Sequence, residues 1–252
     1  MPKSYLIDKD GVIVSGSRLI PGADAFIGRL NAKGCKFLIL TNSSEHTPEE
    51  MERQFRELGV AIPRERFYTS ALATAKFLAS QQPRGSAFVV GEPALNQALE
   101  AVGYTLTQQQ PDYVVLGGTR AYDYQRIAAA IRLIRSGARF IATHPDATGP
   151  SEEGLTPGCG ALAALLERAS GVKPYFIGKP NPLMVRTALR TLNEHSENTV
   201  MIGDRMDTDV VMGIETGMET ILVLSGVTRR EEVERMPYRP SQVVDSVAEL
   251  ER

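Results

Sequence analysis

Tyr5-Leu6-Ile7-Asp8-Lys9-Asp10-Gly11 is the stretch on which the reading of this chain turns. A short apolar run that stops abruptly in two aspartates and a glycine reads as a buried strand running out into a polar turn. The same grammar recurs. Phe37-Leu38-Ile39-Leu40 runs into Thr41-Asn42-Ser43-Ser44, Tyr175-Phe176-Ile177 leads through Gly178 to Lys179-Pro180, and Val200-Met201-Ile202 runs into Gly203-Asp204 with Asp207 and Asp209 close behind. Phe88-Val89-Val90, Tyr113-Val114-Val115-Leu116, Phe140-Ile141-Ala142 and Ile221-Leu222-Val223-Leu224 are further strand runs. Most are followed by a turn and a helical pattern. One helix is expected over 23–32, stopped by Gly34, and another opens with Thr47-Pro48-Glu49-Glu50 as a capping box. Strands and helices alternating from end to end predict an α/β fold, a doubly wound, Rossmann-like parallel sheet with helices on both faces.

Length and composition agree with a folded globular protein. The 252 residues suit one large domain or two modest ones, and 42% hydrophobic with 23% charged residues argues against extended disorder, collagen and coiled coil. Twenty-eight basic against 30 acidic residues give a net charge of -2, so there is no sequence-wide field for gripping a nucleic acid polymer or an anionic membrane. Zero tryptophan and 6% aromatics remove the stacking platforms of a single-strand binder. No apolar run approaches a membrane span and no signal-peptide core follows Met1-Pro2-Lys3-Ser4, so a cytoplasmic protein is expected. Cys35 and Cys159 are too few for a disulfide framework and read as buried or idle thiols.

In an open α/β sheet, ligands bind at the carboxyl ends of the strands. The residues that fall there, on the expectation of a single sheet, are Asp8, Asp10, Thr41, Asn42, Lys179 and Asp204. Each has an ordinary explanation alone, as a solvated turn, a helix-capping loop or a surface charge. Together they can hold a divalent cation and a phosphate. Hard oxygen ligands from Asp8, Asp204 and the backbone carbonyl of Asp10 would suit Mg²⁺, which binds through one or two carboxylates plus phosphate oxygen. With Lys179 and the Thr41 hydroxyl also neutralising and orienting the phosphoryl oxygens, Asp8 could attack phosphorus to give an aspartyl-phosphate. Asp10 is placed to protonate the leaving oxygen and later to take a proton from the hydrolytic water.

Asp8-Lys9-Asp10-Gly11, Thr41-Asn42, Lys179 and Gly203-Asp204-Arg205-Met206-Asp207-Thr208-Asp209 resemble the four motifs of the haloacid dehalogenase superfamily of phosphatases. Tyr68-Thr69-Ser70-Ala71, Gly158-Cys159-Gly160-Ala161-Leu162, Gly178-Lys179-Pro180-Asn181-Pro182 and Glu219 through Val227 resemble its NagD-type members, which carry a large α/β cap. The similarity spans essentially the whole chain. It implies a catalytic core over 1–82 and 172–252 with an inserted α/β cap over 83–171 that governs substrate choice. The 138 positions between Thr41 and Lys179 agree, since they far exceed a crossover between neighbouring strands. The resemblance implies Asp8 as nucleophile and metal ligand, Asp10 as acid/base, Thr41, Asn42 and Lys179 as phosphate-binding, and Asp204 as an Mg²⁺ ligand. Arg205, Thr208 and Asp209 belong to the active-site loop, Asp209 as an outer-shell or alternative metal carboxylate, and Asp207 points to solvent. Nucleoside monophosphates such as UMP are the implied substrates, with sugar phosphates, phosphoglycolate and pyridoxal phosphate as alternatives.

Two positions depart from the family pattern. Lys9 stands where an apolar residue is usual, and His144-Pro145-Asp146 stands where Asn-Pro-Asp is usual. His144 and Asp146 open a long polar loop through Thr156, acidic at Glu152-Glu153, that is the candidate for substrate contact in the cap; an ordinary surface loop is the alternative. His46 and His195 are expected to be exposed and lack zinc-site spacing. Gly158-Cys159-Gly160-Ala161-Leu162-Ala163 fits a dinucleotide fingerprint, yet a polar loop is expected before it instead of a strand, so it reads as a helix start with close packing. A phosphoacceptor signalling module shares the strand-end aspartates, the Thr and the Lys, but would be about half this length. The expected partner is a small phosphorylated metabolite, and the oligomeric state, monomer or homo-oligomer, is open.

Overall fold

The computed structural model describes residues 3–151 and 154–250. The chain divides into two units, Met1–Thr41 with Pro48–Tyr68 and Lys179–Arg252, and Asn42–Thr47 with Thr69–Gly178.

The first unit is organised around the strand Ser4–Ile7, whose four residues are all buried. It lies between Phe37–Thr41 and Thr199–Gly203 and is parallel to both. In space the six strands run Gln242–Val244, Glu219–Val223, Thr199–Gly203, Ser4–Ile7, Phe37–Thr41, Phe67–Thr69. Because side chains alternate across a strand, Tyr5, Ile7, Phe37, Ile39, Val200 and Ile202 share one core. Phe26, Ile27 and Leu30 of the helix Ala23–Ala32 pack into the same core. Full burial of such a side chain contributes roughly 1.5–3 kcal/mol, which is why a central strand can be apolar on both faces. Helix Ala23–Ala32 stops at Gly34, whose φ of +64° suits a residue without Cβ. The helix Pro182–Leu192 is capped by the Asn181 side chain, which accepts the Leu183 N–H at 2.9 Å.

The second unit holds a five-stranded parallel sheet, ordered Tyr175–Phe176, Arg139–Ala142, Tyr113–Leu116, Ser86–Val90, Thr105–Leu106. Phe88, Val90, Val114, Leu116 and Phe140 pack against Ile134, Leu162 and Leu166 from the helices Tyr124–Arg135 and Cys159–Ser170. The buried Cys159 belongs to this core, and Cys35 is buried in the first.

Several expectations are corrected. Tyr175–Phe176 pairs with Arg139–Ala142, so Lys179 follows a strand of the second sheet and the strand-end residues do not all come from one. Apart from Asn42–Thr47, the second unit runs from Thr69 to Gly178, not from 83 to 171. Its helix Ser70–Gln81 precedes the Pro83 turn because a turn signal marks where the chain reverses, not where packing changes. Tyr104 illustrates the packing, its hydroxyl donating to the carbonyls of Leu78 and Gln82. The expected loop from His144 to Thr156 contains an antiparallel hairpin, Thr148–Ser151 with Gly154–Pro157, so a strand does precede Gly158. It is an antiparallel strand, unlike the parallel strand of a dinucleotide fold. Glu152 and Glu153 lie outside the described residues. His195 is exposed as expected, and His46 is half-buried.

Candidate active site

The first sheet reverses its strand order between Ser4–Ile7 and Thr199–Gly203. The crevice of an open sheet lies at such a reversal, and Asp8 and Asp204 are the next charged residues after these two strands. Gly203 ends the second of them, and a Cβ there would strike the Asp209 side chain. Behind it Met206–Val210 winds as a π-helical turn before the helix Val211–Glu215. The turn brings Asp209 back so that its Oδ2 accepts the Arg205 N–H at 3.2 Å. π turns recur at functional sites because they re-aim one side chain without ending the helix.

Asp8, Asp204 and Asp209 are all buried and offer carboxylate oxygens within 4.8 Å of one another. Lys179 is 3% exposed and joins them, its Nζ 2.6 Å from Asp8 Oδ1 and 2.8 Å from Asp209 Oδ1. If all three were ionised, the carboxylates would exceed the one ammonium facing them by two negative charges. Burial pushes Asp8 well above the ordinary carboxylate range; Lys179 opposes this, while Asp209, Asp204 and Asp10 add to it. Burial, then the Asp209 charge, pushes Asp204 up to about 6. Burial works to lower Lys179, but the Asp209 and Asp8 carboxylates override it and hold the ammonium above its usual range. Asp204 Oδ2 accepts the Val227 N–H at 2.7 Å, whereas its Oδ1 is buried with no hydrogen-bond partner among the described residues. A buried carboxylate oxygen left in this way is costly in a protein interior unless a cation takes it. The oxygen-only donor set, with three carboxylates to one ammonium and one orphaned oxygen, therefore fits a hard divalent cation.

Backbone close around the carboxylates explains two more glycines. A Cβ on Gly11, which has φ of +80°, or on Gly226 would collide with Asp204 Oδ2. Ser225 Oγ donates to the Gly11 carbonyl at 2.7 Å, tying the two loops together.

The remaining expected residues are distributed as follows. Asp10 stands outside the triad: its side chain is 43% exposed, and the Lys9 ammonium lies 3.2 Å from its Oδ2. Thr41 ends its strand buried. Arg205 makes a two-pronged ion pair with Asp207, at 3.0 and 2.8 Å, and Asp207 is exposed. Thr208 is buried in the π-helical turn. Asp209, expected as an outer-shell or alternative metal carboxylate, lies with Asp8 and Asp204. In the second unit, Asn42 Nδ2 donates to Asp146 Oδ2 at 2.8 Å, and His144 Nδ1 lies 2.9 Å from the same oxygen. Sequence reasoning missed this grouping, since 104 positions separate Asn42 from Asp146.

Comparison with known proteins gives a consistent picture. Residues 5–105 match a family model described as haloacid dehalogenase-like hydrolase, and residues 176–250 match one described as HAD-hydrolase-like. Over 247 residues, 98% of this chain and 90% of the relative, the chain is 51% identical to dihydroxyacetone phosphatase of Corynebacterium glutamicum. It is 43% identical to the ribonucleotide monophosphatase NagD of Escherichia coli over 99% of this chain and 98% of NagD. The solved structure of NagD superposes with a TM-score of 0.93, covering 98% of each chain. Acid sugar phosphatase of Staphylococcus aureus is 40% identical over 99% of this chain and 98% of its own. Among the described residues no helix is long and apolar enough to cross a membrane.

Proposed function

Because the chain belongs to the haloacid dehalogenase-like hydrolases and is a phosphatase of the NagD type, we propose that it hydrolyses small phosphomonoesters through an aspartyl-phosphate on Asp8, with Mg²⁺ as its cation. The observation that carries this reading is the buried excess of negative charge around Asp8, Asp204 and Asp209, with one Asp204 oxygen unpartnered. Asp8, Asp204 and Asp209 would hold the cation, with the Asp10 carbonyl as a further donor; when bound it neutralises this charge and polarises a phosphoryl oxygen.

The chain's own groups then divide the work. One oxygen of Asp8 forms a bond to phosphorus while the ester P–O bond breaks, leaving an aspartyl-phosphate and an alcohol. Asp10 gives its proton to the departing oxygen. It then takes a proton from water as that water attacks phosphorus, which frees Asp8 and releases phosphate. Lys179 holds the Asp8 carboxylate and offsets charge on the phosphoryl oxygens, and Thr41 and Asn42 bind those oxygens. The Lys9 ammonium at the Asp10 carboxylate keeps that group oriented between its two proton transfers. Arg205, Thr208 and Asp209 shape the loop that carries Asp204. Leaving-group choice is assigned to the inserted unit.

Purified protein should hydrolyse 4-nitrophenyl phosphate with Mg²⁺ and lose that activity on adding EDTA; activity that survives EDTA would sink the metal-assisted route. Nucleoside monophosphates, with UMP as test compound, are favoured by similarity to a ribonucleotide monophosphatase. The 51% identity to a dihydroxyacetone phosphatase supports a second reading, a triose phosphate. A kcat/KM comparison of UMP and dihydroxyacetone phosphate, with sugar phosphates, phosphoglycolate and pyridoxal phosphate alongside, decides between them.

A further inference from the structure

Asp146 follows the strand Arg139–Ala142 by four positions and is seated on the start of the helix Cys159–Ser170. Gly160 N–H donates to the Asp146 carbonyl at 2.9 Å, and Gly158 N–H to the Ala147 carbonyl at 2.8 Å. A Cβ on Gly158 or Gly160 would run into the carbonyl oxygens of Asp146 and Pro145, so the Gly-Cys-Gly sequence lets this loop lie directly on the helix start. Its carboxylate is therefore mounted on a fixed backbone. One oxygen, Oδ2, meets both the Asn42 amide at 2.8 Å and His144 Nδ1 at 2.9 Å. The His144 contact is close but poorly aligned, since Nδ1 makes no full hydrogen bond. The Asn42 contact is well formed, and an ionised acceptor makes it one of the stronger kinds of hydrogen bond.

An amide can present either end to its surroundings, and only its NH₂ end can face a carboxylate. Asp146 consequently sets the orientation of the Asn42 amide. The opposite end, Oδ1, lies against Gly178, where a Cβ would strike it. Asn42 directly follows Thr41, so both its rotamer and its amide sense bear on how the loop meets a phosphoryl group.

We infer that Asp146 is a positioning residue for phosphate binding, acting by fixing the Asn42 amide, and not a contact for the leaving group. The inference rests on the reading that Asn42 binds phosphate. It implies an effect that is blind to the leaving group, because the phosphoryl group is common to every substrate.

The test is steady-state kinetics of Asp146→Ala, Asn42→Ala and the double variant on 4-nitrophenyl phosphate, UMP and dihydroxyacetone phosphate, with inorganic phosphate as competitive inhibitor. Asp146→Ala should lower kcat/KM roughly tenfold, by the same factor for each substrate, and raise the phosphate inhibition constant in step. The double variant should be no worse than Asn42→Ala alone within about twofold, since both changes remove one function. The isosteric Asp146→Asn, which keeps an acceptor without charge, should fall between, and it carries the same comparison if Asp146→Ala fails to fold. Losses that differ between substrates, additive losses in the double variant, or an unchanged phosphate inhibition constant would overturn the inference. If Asn42→Ala itself leaves phosphate inhibition unchanged, the reading of Asn42 as phosphate-binding fails first.

Discussion

The two parallel sheets each reverse their strand order once, and the two reversals carry opposite chemistry. In the first, the crevice after Ser4–Ile7 and Thr199–Gly203 holds Asp8 and Asp204 with more negative charge than Lys179 offsets. In the second, the crevice after Ser86–Val90 and Tyr113–Leu116 is closed by the chain's own groups. Glu92 Oε1 accepts the Thr119 hydroxyl at 2.7 Å and the Arg120 N–H at 3.2 Å, and Ser44 Oγ accepts the Gly118 N–H at 2.9 Å. Strand order supplies a crevice in both cases. Whether it is a reactive site depends on whether its polar groups are left to something from outside.

The strongest way to break this contrast is Asp8→Asn, which removes the nucleophile. Turnover of 4-nitrophenyl phosphate with Mg²⁺ should fall by roughly 10⁴-fold, read from initial rates. Retained turnover would move the nucleophile elsewhere.

Lys179→Met comes next. Removing the one ammonium from among three buried carboxylates should cost about 3–5 kcal/mol in the metal-free protein near pH 7.5, read by urea unfolding in EDTA. The sign of the pH effect follows from Asp204. A carboxyl held at about 6 in the folded state binds its proton more tightly there than in the unfolded chain, so stability falls as pH rises from about 4 through 6. The Lys179→Met penalty should therefore shrink at pH 5, and a penalty independent of pH would contradict a charge origin.

The second crevice should respond to volume and not to charge. A Cβ on Gly117 would meet Ser44 Oγ and a methyl of Leu95, so Gly117→Ala should cost about 1–3 kcal/mol by the same urea measurement. A neutral result would mean that the crevice is looser than its contacts indicate.

The smallest effect belongs to Asp112, which has the opposite sign to Asp204. Hydrogen bonds from Ser86 hold it below the ordinary carboxylate range, its Oδ2 accepting Ser86 N–H at 2.8 Å and Ser86 Oγ–H at 2.7 Å. Its stabilisation is present above its unfolded value near 3.8 and is lost as pH falls through its lower folded value. Asp112→Asn should lower the melting temperature slightly at pH 6 and not at all near pH 2. A difference that persists in acid would place its origin in packing.

Much of the site was legible because each core motif sits where an apolar run stops, and such stops are local. Asp8, Thr41 and Asp204 follow from that rule alone. Asp209 does not follow from that rule and is named only through the resemblance, as an outer-shell or alternative metal carboxylate; its place beside Asp8 and Asp204 depends on the π-helical turn, which a 3.6-residue period does not register. Lys179 is expected after a strand of the same sheet as Asp8, whereas that strand belongs to the second sheet, since Tyr175-Phe176-Ile177 reveals a strand and not its neighbour. The hairpin from Thr148 was invisible because Gly149, Pro150 and Gly154 are turn formers by composition. Its strands are defined by pairing with each other, and that is a tertiary fact.

The second unit is drawn from two separate stretches, with Asn42–Thr47 supplied far upstream of Thr69–Gly178. This has a practical meaning for chimaeras. A gene swap limited to codons 69–178 would import a new Asp146 and Gly118 while leaving behind the Asn42 and Ser44 that bond to them. The six codons for Asn42–Thr47 have to travel with the insert, or the transplanted module arrives with its polar contacts mismatched.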